Sequence, residues 1–247
     1  MGEDKTGRHH RNFGSRGIYL PKKYNSLYNS DYDNNINGNK FKFKNSLIIT
    51  PNYEIEFEST GGIKYIKNHD GCVFFSGANI SAETNGVQKL PVMLRRGINK
   101  LSSQKKLIVE EKYNYEEKYE IHQNIILYYE ENRIDFQTLF VKDLAYETKD
   151  ITSGFALNFY FPEMYGDALE YKKFTEGGEY QQAFDLLDNA EYIYLDCAKA
   201  YGMTIYPERQ QTLRYKNKSL NFTVANPPDL EKNYINLKIY LEKYKIV

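Results

Sequence analysis

The sequence predicts an all-β fold, a large antiparallel β-sandwich, on three observations. The stretch Tyr119 to Val141, YEIHQNIILYYEENRIDFQTLFV, holds two runs that alternate in character with a period of two around the polar turn Glu130-Glu131-Asn132-Arg133. Successive side chains of a strand point to opposite faces, so this alternation is the signature of a hairpin with one face buried. Strand-like runs then recur along the chain, punctuated by Gly61-Gly62, Asp70-Gly71, Asn85-Gly86 and Asn226-Pro227-Pro228. Helix-like spacing appears only within 178–189, where Ala183, Phe184, Leu186 and Leu187 sit among polar residues, and that segment is short and poorly capped.

Taken in order, residues 1–17 are polar and rich in Gly, Arg and His, the composition of a disordered tail. The segment 18–39 reads as a long Tyr/Asn/Asp-rich loop, and its acids Asp31 and Asp33 lack the Gly and distant Glu of a calcium loop. Strands are expected over 40–49, 53–59, 63–67, 72–75, 106–113, 119–129, 133–142, 154–161, 191–197, 201–206, 212–215, 219–224 and 234–244. The pair Arg95-Arg96 in VMLRRGINK falls in an expected solvated loop. No repeat and no linker-like stretch follows residue 40, so 18–247 is read as one sandwich domain.

Composition narrows the function. Lys+Arg and Asp+Glu both number 33 in 247 residues, so the totals give no basic surplus for nucleic acid. No apolar run approaches the ~20 residues of a membrane span, and the N-terminus lacks a signal-peptide core, which makes a cytoplasmic location the expectation. Cys72 and Cys197 are too few for a disulfide framework and are expected as buried free thiols. The adjacent His9-His10 is no metal site by itself, and neither a metal nor a cofactor is expected. Tyrosine stands out, with 24 Tyr and 14 Phe against no Trp. β-propensity accounts for most of it, while some rings with an edge hydroxyl suit stacking on sugar or base.

The run HQNIILYYEENRIDFQTLFV resembles a recurring hairpin of the galactose-mutarotase-like β-supersandwich superfamily, especially the β-domains of the α-mannosidase and glycoside phosphorylase type. FALNFYFP (155–162) is similar to the strand that follows that hairpin, and YIYLDCAKAYGMTIYPE (192–208) to a strand–turn–strand unit beginning its second strand at Tyr201-Gly202. The resemblance covers about residues 105–225. It implies a supersandwich and a bias toward carbohydrate, since such domains occur in sugar epimerases, polysaccharide lyases and glycosidases; fold alone does not choose among them. Epimerase members use paired histidines and a Glu, and neither KNHDG around His69 nor EIHQN around His122 reproduces that pattern.

Alternation nominates a binding face. If the apolar positions are core, the opposite face presents His122, Asn124, Gln137, Asn158, Tyr160, Tyr192 and Tyr194, amides and rings suited to sugar hydroxyls and C–H faces. His122 is the candidate for acid–base catalysis, because imidazole titrates near neutrality. Arg95 is the candidate to clamp a carboxylate. The ligand expected is a sugar or glycan, with no nucleic acid or membrane partner.

Paired carboxylates for glycoside hydrolysis must converge to roughly 5–9.5 Å. Glu54, Glu56 and Glu58 read better as the charged face of an edge strand, EEKYNYEEKYE (110–120) as a solvated hairpin, and Glu163 is a candidate only by its place at a sheet rim. An enzyme alternative is a jelly-roll polysaccharide lyase of the alginate-lyase type. LRRGIN (94–99), EIHQ (120–123) and FTEGGEYQQ (174–182) follow the order of its motifs, with His122 and Tyr180 implied as the proton-transfer pair on a uronate glycan. A structural or assembly protein is the third class.

Overall fold

A computed structural model describes residues 42–44, 46–99, 101–103, 105–128, 130–142, 152–162, 169–173, 179–181, 184–188, 190–197, 201–207, 212–216, 218–225 and 232–243. Among them there is no helix, and so none long and apolar enough to cross a membrane. The chain opens with β1 (Lys42–Lys44), β2 (Leu47–Ile49), β3 (Tyr53–Phe57), β4 (Ile63–Asn68), β5 (Val73–Phe75), β6 (Gly77–Thr84) and β7 (Val87–Lys89). Next come β8 (Val92–Ile98), β9 (Lys106–Tyr115), β10 (Tyr119–Tyr128), β11 (Arg133–Lys142), β12 (Thr152–Tyr160) and β13 (Leu169–Lys173). The remainder is β14 (Glu179–Gln181), β15 (Phe184–Asp188), β16 (Ala190–Cys197), β17 (Tyr201–Pro207), β18 (Thr212–Lys216), β19 (Ser219–Ala225) and β20 (Lys232–Lys243).

The strands form two antiparallel sheets. The first runs β1-β2-β3-β4-β6-β12-β19-β18-β15, with β5 beside β4 and β7 beside β6. The second runs β14-β13-β16-β17-β20-β11-β10-β9-β8. Their inner faces meet through aromatic rings: Phe155 of the first sheet stacks on Phe140 of the second at 4.5 Å, and Phe159 meets Phe136 edge-on at 5.2 Å. Fully burying one such ring stabilises the fold by roughly 1.5–3 kcal/mol, so this aromatic seam holds the layers together.

The period-two reading of the hairpin holds for its core-facing positions, while the outward Ile126 and Asp135 are buried as well. Tyr119, Ile121, Gln123, Ile125 and Leu127 face the core, with Ile121 opposite Phe140 and Leu127 opposite Ile134. Gln123 is the polar exception, and it donates to Thr138 Oγ1 across the strand pair at 3.0 Å.

Several expectations are corrected. The helix expected within 178–189 is absent from the described residues there, which form β14 and β15. Phe184 and Leu187 pair with Tyr215 and Leu213 of β18, so tertiary pairing overrides a weak local pattern. Of VMLRRGINK, the first seven residues, Val92–Ile98, form β8 rather than a loop, paired with β9 through a bulge between Met93 and Arg95. In place of the single strand expected over 40–49, Lys42–Lys44 and Leu47–Ile49 pair as the hairpin β1–β2. Glu54 and Glu56 lie on a strand inside the sheet, between β2 and β4, where they pair with Lys67 and Lys64. The 110–120 hairpin is solvated on one face only, because Glu111, Tyr113 and Tyr115 are buried. Both cysteines keep their thiols; Cys72 is buried as expected, and Cys197 is half-buried rather than buried. Residues 1–17, with His9 and His10, and Glu163 lie outside the described residues.

Candidate functional site

The outer face of the first sheet carries a groove of about 620 Å³ over β7, β6, β12, β19 and β18. Its geometry follows from small residues. On β12, Phe155, Leu157 and Phe159 fill the core, which leaves Gly154, Ala156, Asn158 and Tyr160 outward. On β6, Ala78, Ile80 and Ala82 are core, and Asn79, Ser81 and Glu83 alternate to the other side. The tight turn Asn85-Gly86, with both residues at positive φ, folds β7 back so that Gln88 walls one side.

Three asparagines and an arginine form one row across four strands, since Asn158 is in register with both Asn79 and Asn221, and Asn221 with Arg214. The amides are linked in one direction. Asn221 Nδ2 donates to Asn158 Oδ1 at 2.6 Å, while Asn158 Nδ2 donates to Asn79 Oδ1 and to Ser81 Oγ, both at 2.9 Å. Gln88 Nε2 donates to the same Ser81 oxygen at 2.7 Å, and Asn221 Nδ2 also reaches Ser219 Oγ at 3.2 Å. Asn158 is fully buried beneath this network, so it fixes the floor, and its neighbours present the polar groups. Beside the row stands Tyr160, 38% exposed, with its ring over Gly77, where a Cβ would come to 3.3 Å.

The sequence-nominated residues fall on two opposite faces. Asn158 and Tyr160 belong to the groove. His122, Asn124, Gln137, Arg95, Tyr192 and Tyr194 lie on the outer face of the second sheet. There Asn124 is opposite Gln137, and His122 is opposite Lys112, which in turn faces Arg95. This surface is knit by its own charges: Arg95 to Glu110 at 2.8 Å, Lys112 to Glu120 at 2.7 Å, and His122 Nε2 to Glu120 at 3.1 Å. The hydrogen bond from Lys112, more than His122, holds the Glu120 carboxyl below its usual range. Tyr192 and Tyr194 are four strands from β10, roughly 19 Å along the sheet. Tyr192 instead packs on Tyr206 at 6.1 Å.

The strand of Tyr180, β14, is six positions from that of His122 in the sheet order, roughly 29 Å. The lyase pair is therefore not brought together along the sheet. His69 Nε2 donates to Thr50 O, 2.8 Å away, in the β4–β5 connection. Among the described residues no cluster of metal-ligating side chains occurs.

Sequence reasoning missed Asn79, Ser81, Glu83, Gln88, Arg214, Ser219 and Asn221. GANISAET looks like a loop, yet its outward positions are small or polar because they line a groove or its edge. The available signal was the alternation of Ala78, Ile80 and Ala82 within it.

No family model matches the sequence, and no curated protein is similar to it. Solved structures do share the fold. An α-mannosidase from Enterococcus faecalis V583 aligns with TM-score 0.60 at 12% identity, over 80% of this chain and 29% of that one. A glycosyl hydrolase family 38 protein from the same species gives 0.61 at 11%, over 80% and 30%. An α-N-acetylgalactosaminidase from Bifidobacterium bifidum gives 0.56 at 6%, over 80% and 36%. The fold class is thus a large antiparallel β-sandwich, and the resemblance to α-mannosidase-type β-domains holds at the level of fold. The chain spans about a third of the length of these enzymes.

Proposed function

We propose that this chain is a carbohydrate-binding β-sandwich that seats a saccharide in the groove of the first sheet. The observation that carries the reading is the Asn79–Asn158–Asn221 row, a pre-ordered floor of neutral amides and hydroxyls beside the half-exposed ring of Tyr160. Directed hydrogen bonds to hydroxyls plus a ring under the C–H face are what sugar recognition needs. The fold neighbours add support, because their names place them among enzymes that act on mannosides and N-acetylgalactosaminides. Binding is favoured over hydrolysis because, among the described lining residues, Glu83 is the only carboxylate, where two-carboxylate hydrolysis requires a pair.

Calorimetric titration against a panel of mono- and oligosaccharides tests this. The intact protein should give saturable heat with at least one of them. Tyr160→Ala should weaken binding by roughly tenfold, the worth of one lost ring face. His122→Ala, on the far side of the core, should bind as the intact protein does. Silence across the panel, or loss of binding in His122→Ala with Tyr160→Ala unaffected, would sink the proposal.

A further inference from the structure

The outer face of the second sheet carries phenol rings on neighbouring strands. Tyr128 of β10, Tyr240 of β20, Tyr206 of β17 and Tyr192 of β16 point outward, because Leu127, Ile239, Ile205 and Ile193 beside them in sequence are core. The sheet order β16-β17-β20-β11-β10 spreads the four rings over four strand spacings, roughly 19 Å. Two of the three steps along the row are direct ring contacts, Tyr192 to Tyr206 at 6.1 Å and Tyr206 to Tyr240 at 5.7 Å. Arg133 of β11 bridges the third, its guanidinium 4.3 Å from the centre of the Tyr128 ring and 5.7 Å from that of Tyr240.

Charge narrows what such a row recognises. Arg133 Nε and Nη2 donate to the two oxygens of Asp135 at 2.7 and 2.6 Å, and Nη1 donates to Glu131 at 3.1 Å. Its fork is thereby engaged by the protein's own carboxylates, so Arg133 spaces the rings instead of clamping an anion. Lys238 is in register with Tyr206 on one side and with Asp135 on the other. The row thus presents ring faces and hydroxyl edges rather than a line of cations, which suits a neutral chain and not a phosphate backbone.

Relief narrows it further. Tyr206, 40% exposed, is the most open of the four, and the others are half-buried. It meets Tyr240 at 89° and Tyr192 at 51°, so the row is a succession of corners and not a flat shelf. A corner joins a ring face to a hydroxyl-bearing edge. A pyranose uses both together, stacking its C–H face and hydrogen-bonding its hydroxyls.

We infer that this row is a second saccharide site, a stacking track for a neutral glycan chain that runs across the strands with successive sugar units on successive rings. It goes beyond the groove reading, because the groove lies on the opposite outer face of the sandwich and uses none of these residues. A disaccharide covers too little of the roughly 19 Å track to be held there, whereas a longer chain reaches several rings.

The test titrates homo-oligosaccharides of glucose, of mannose and of N-acetylglucosamine, from disaccharide to hexasaccharide, with an oligothymidylate alongside. At least one series should bind more tightly as it lengthens, by about tenfold or more overall, the worth of added ring faces. Tyr206→Ala, which removes the middle of the row, should erase that gain, while Tyr206→Phe, which keeps the ring, should retain most of it. Tyr160→Ala should weaken the disaccharide at the groove and leave the gain with length in place. No gain with length in the intact protein, a gain that survives Tyr206→Ala, or a gain lost in Tyr160→Ala overturns the inference and leaves the groove reading standing. Oligothymidylate binding that depends on Tyr206, with no such gain in any glycan series, overturns it in favour of nucleobase stacking. A Tyr206-dependent gain with length, with every mono- and disaccharide silent, supports the inference and overturns the groove reading alone.

Discussion

Glu111 has no exposed surface, yet it carries a charge that must be balanced inside the sandwich. Arg96 Nε donates to its Oε1 at 2.5 Å, Gly62 N donates to its Oε2 at 3.2 Å, and the Tyr113 hydroxyl donates to the same oxygen. Arg96 also donates to Gly62 O at 3.2 Å and lies over the Phe57 ring at 4.7 Å. The group ties the β3–β4 turn of one sheet to β8 and β9 of the other. Gly61 and Gly62 are required there: both have positive φ, and a Cβ would fall 2.5 Å from the Tyr113 ring or 2.3 Å from Ala78 O. Removing one partner leaves a buried charge uncompensated, so Glu111→Leu should cost about 3–5 kcal/mol. Arg96→Met added to it should recover a large part, because the stranded guanidinium is gone. Urea unfolding with an unchanged m-value measures both. A cost under ~1 kcal/mol for the single variant would show that the network is not holding the sheets, since that is the range of exposed pairs.

At the scale of the element, β12 is the strand on which core and groove are decided together. Its inward Phe155, Leu157 and Phe159 made it visible in the sequence, and its outward Asn158 and Tyr160 were nominated with it. Its neighbour β6 was not legible, because Gly77, Ala78, Asn79, Ser81 and Ala82 have low β-propensity and only Ile80 and the terminal Thr84 are strand formers. The short strand β15 depends on a distant partner, β18, that no local pattern encodes, while β7 and β14 close hairpins on β6 and β13. The hairpin β10–β11 needed none of this, since both its faces and its turn signal the same structure. What alternation could not supply was which sheet each strand joins, and so it merged two outer faces into one surface. The role of Asn158 gives a prediction at this scale. Asn158→Leu keeps the branched shape but deprives Asn79, Ser81 and Asn221 of their common partner. It should cost about 1–3 kcal/mol in stability and abolish saccharide heat together, as unsatisfied polar groups collapse the floor. Unaltered binding in a fully folded Asn158→Leu would mean that the row does not organise the groove.

At the scale of the whole molecule, the sandwich buries phenols between its sheets, and this makes its stability sensitive to alkali. Tyr53 of the first sheet is 1% exposed and its hydroxyl approaches Arg133 O of the second at 3.5 Å. Burial, helped by the Asp135 carboxylate, pushes the Tyr53 phenol well above its ordinary range; burial and Glu111 do the same to Tyr113. Both phenols ionise more readily in the unfolded chain, at about pH 10. The stability they contribute is therefore fully present below that pH and is lost as the pH climbs toward the folded-state values. The protein should unfold cooperatively above about pH 10, with phenolate absorbance rising in step with the loss of the β-sheet circular dichroism. Tyr53→Phe, which keeps the ring and removes one ionisation, should move that transition to higher pH. Phenolate formation complete near pH 10 with the sheets intact would show that these hydroxyls reach solvent without unfolding, and that the seam between the layers is looser than its packing implies.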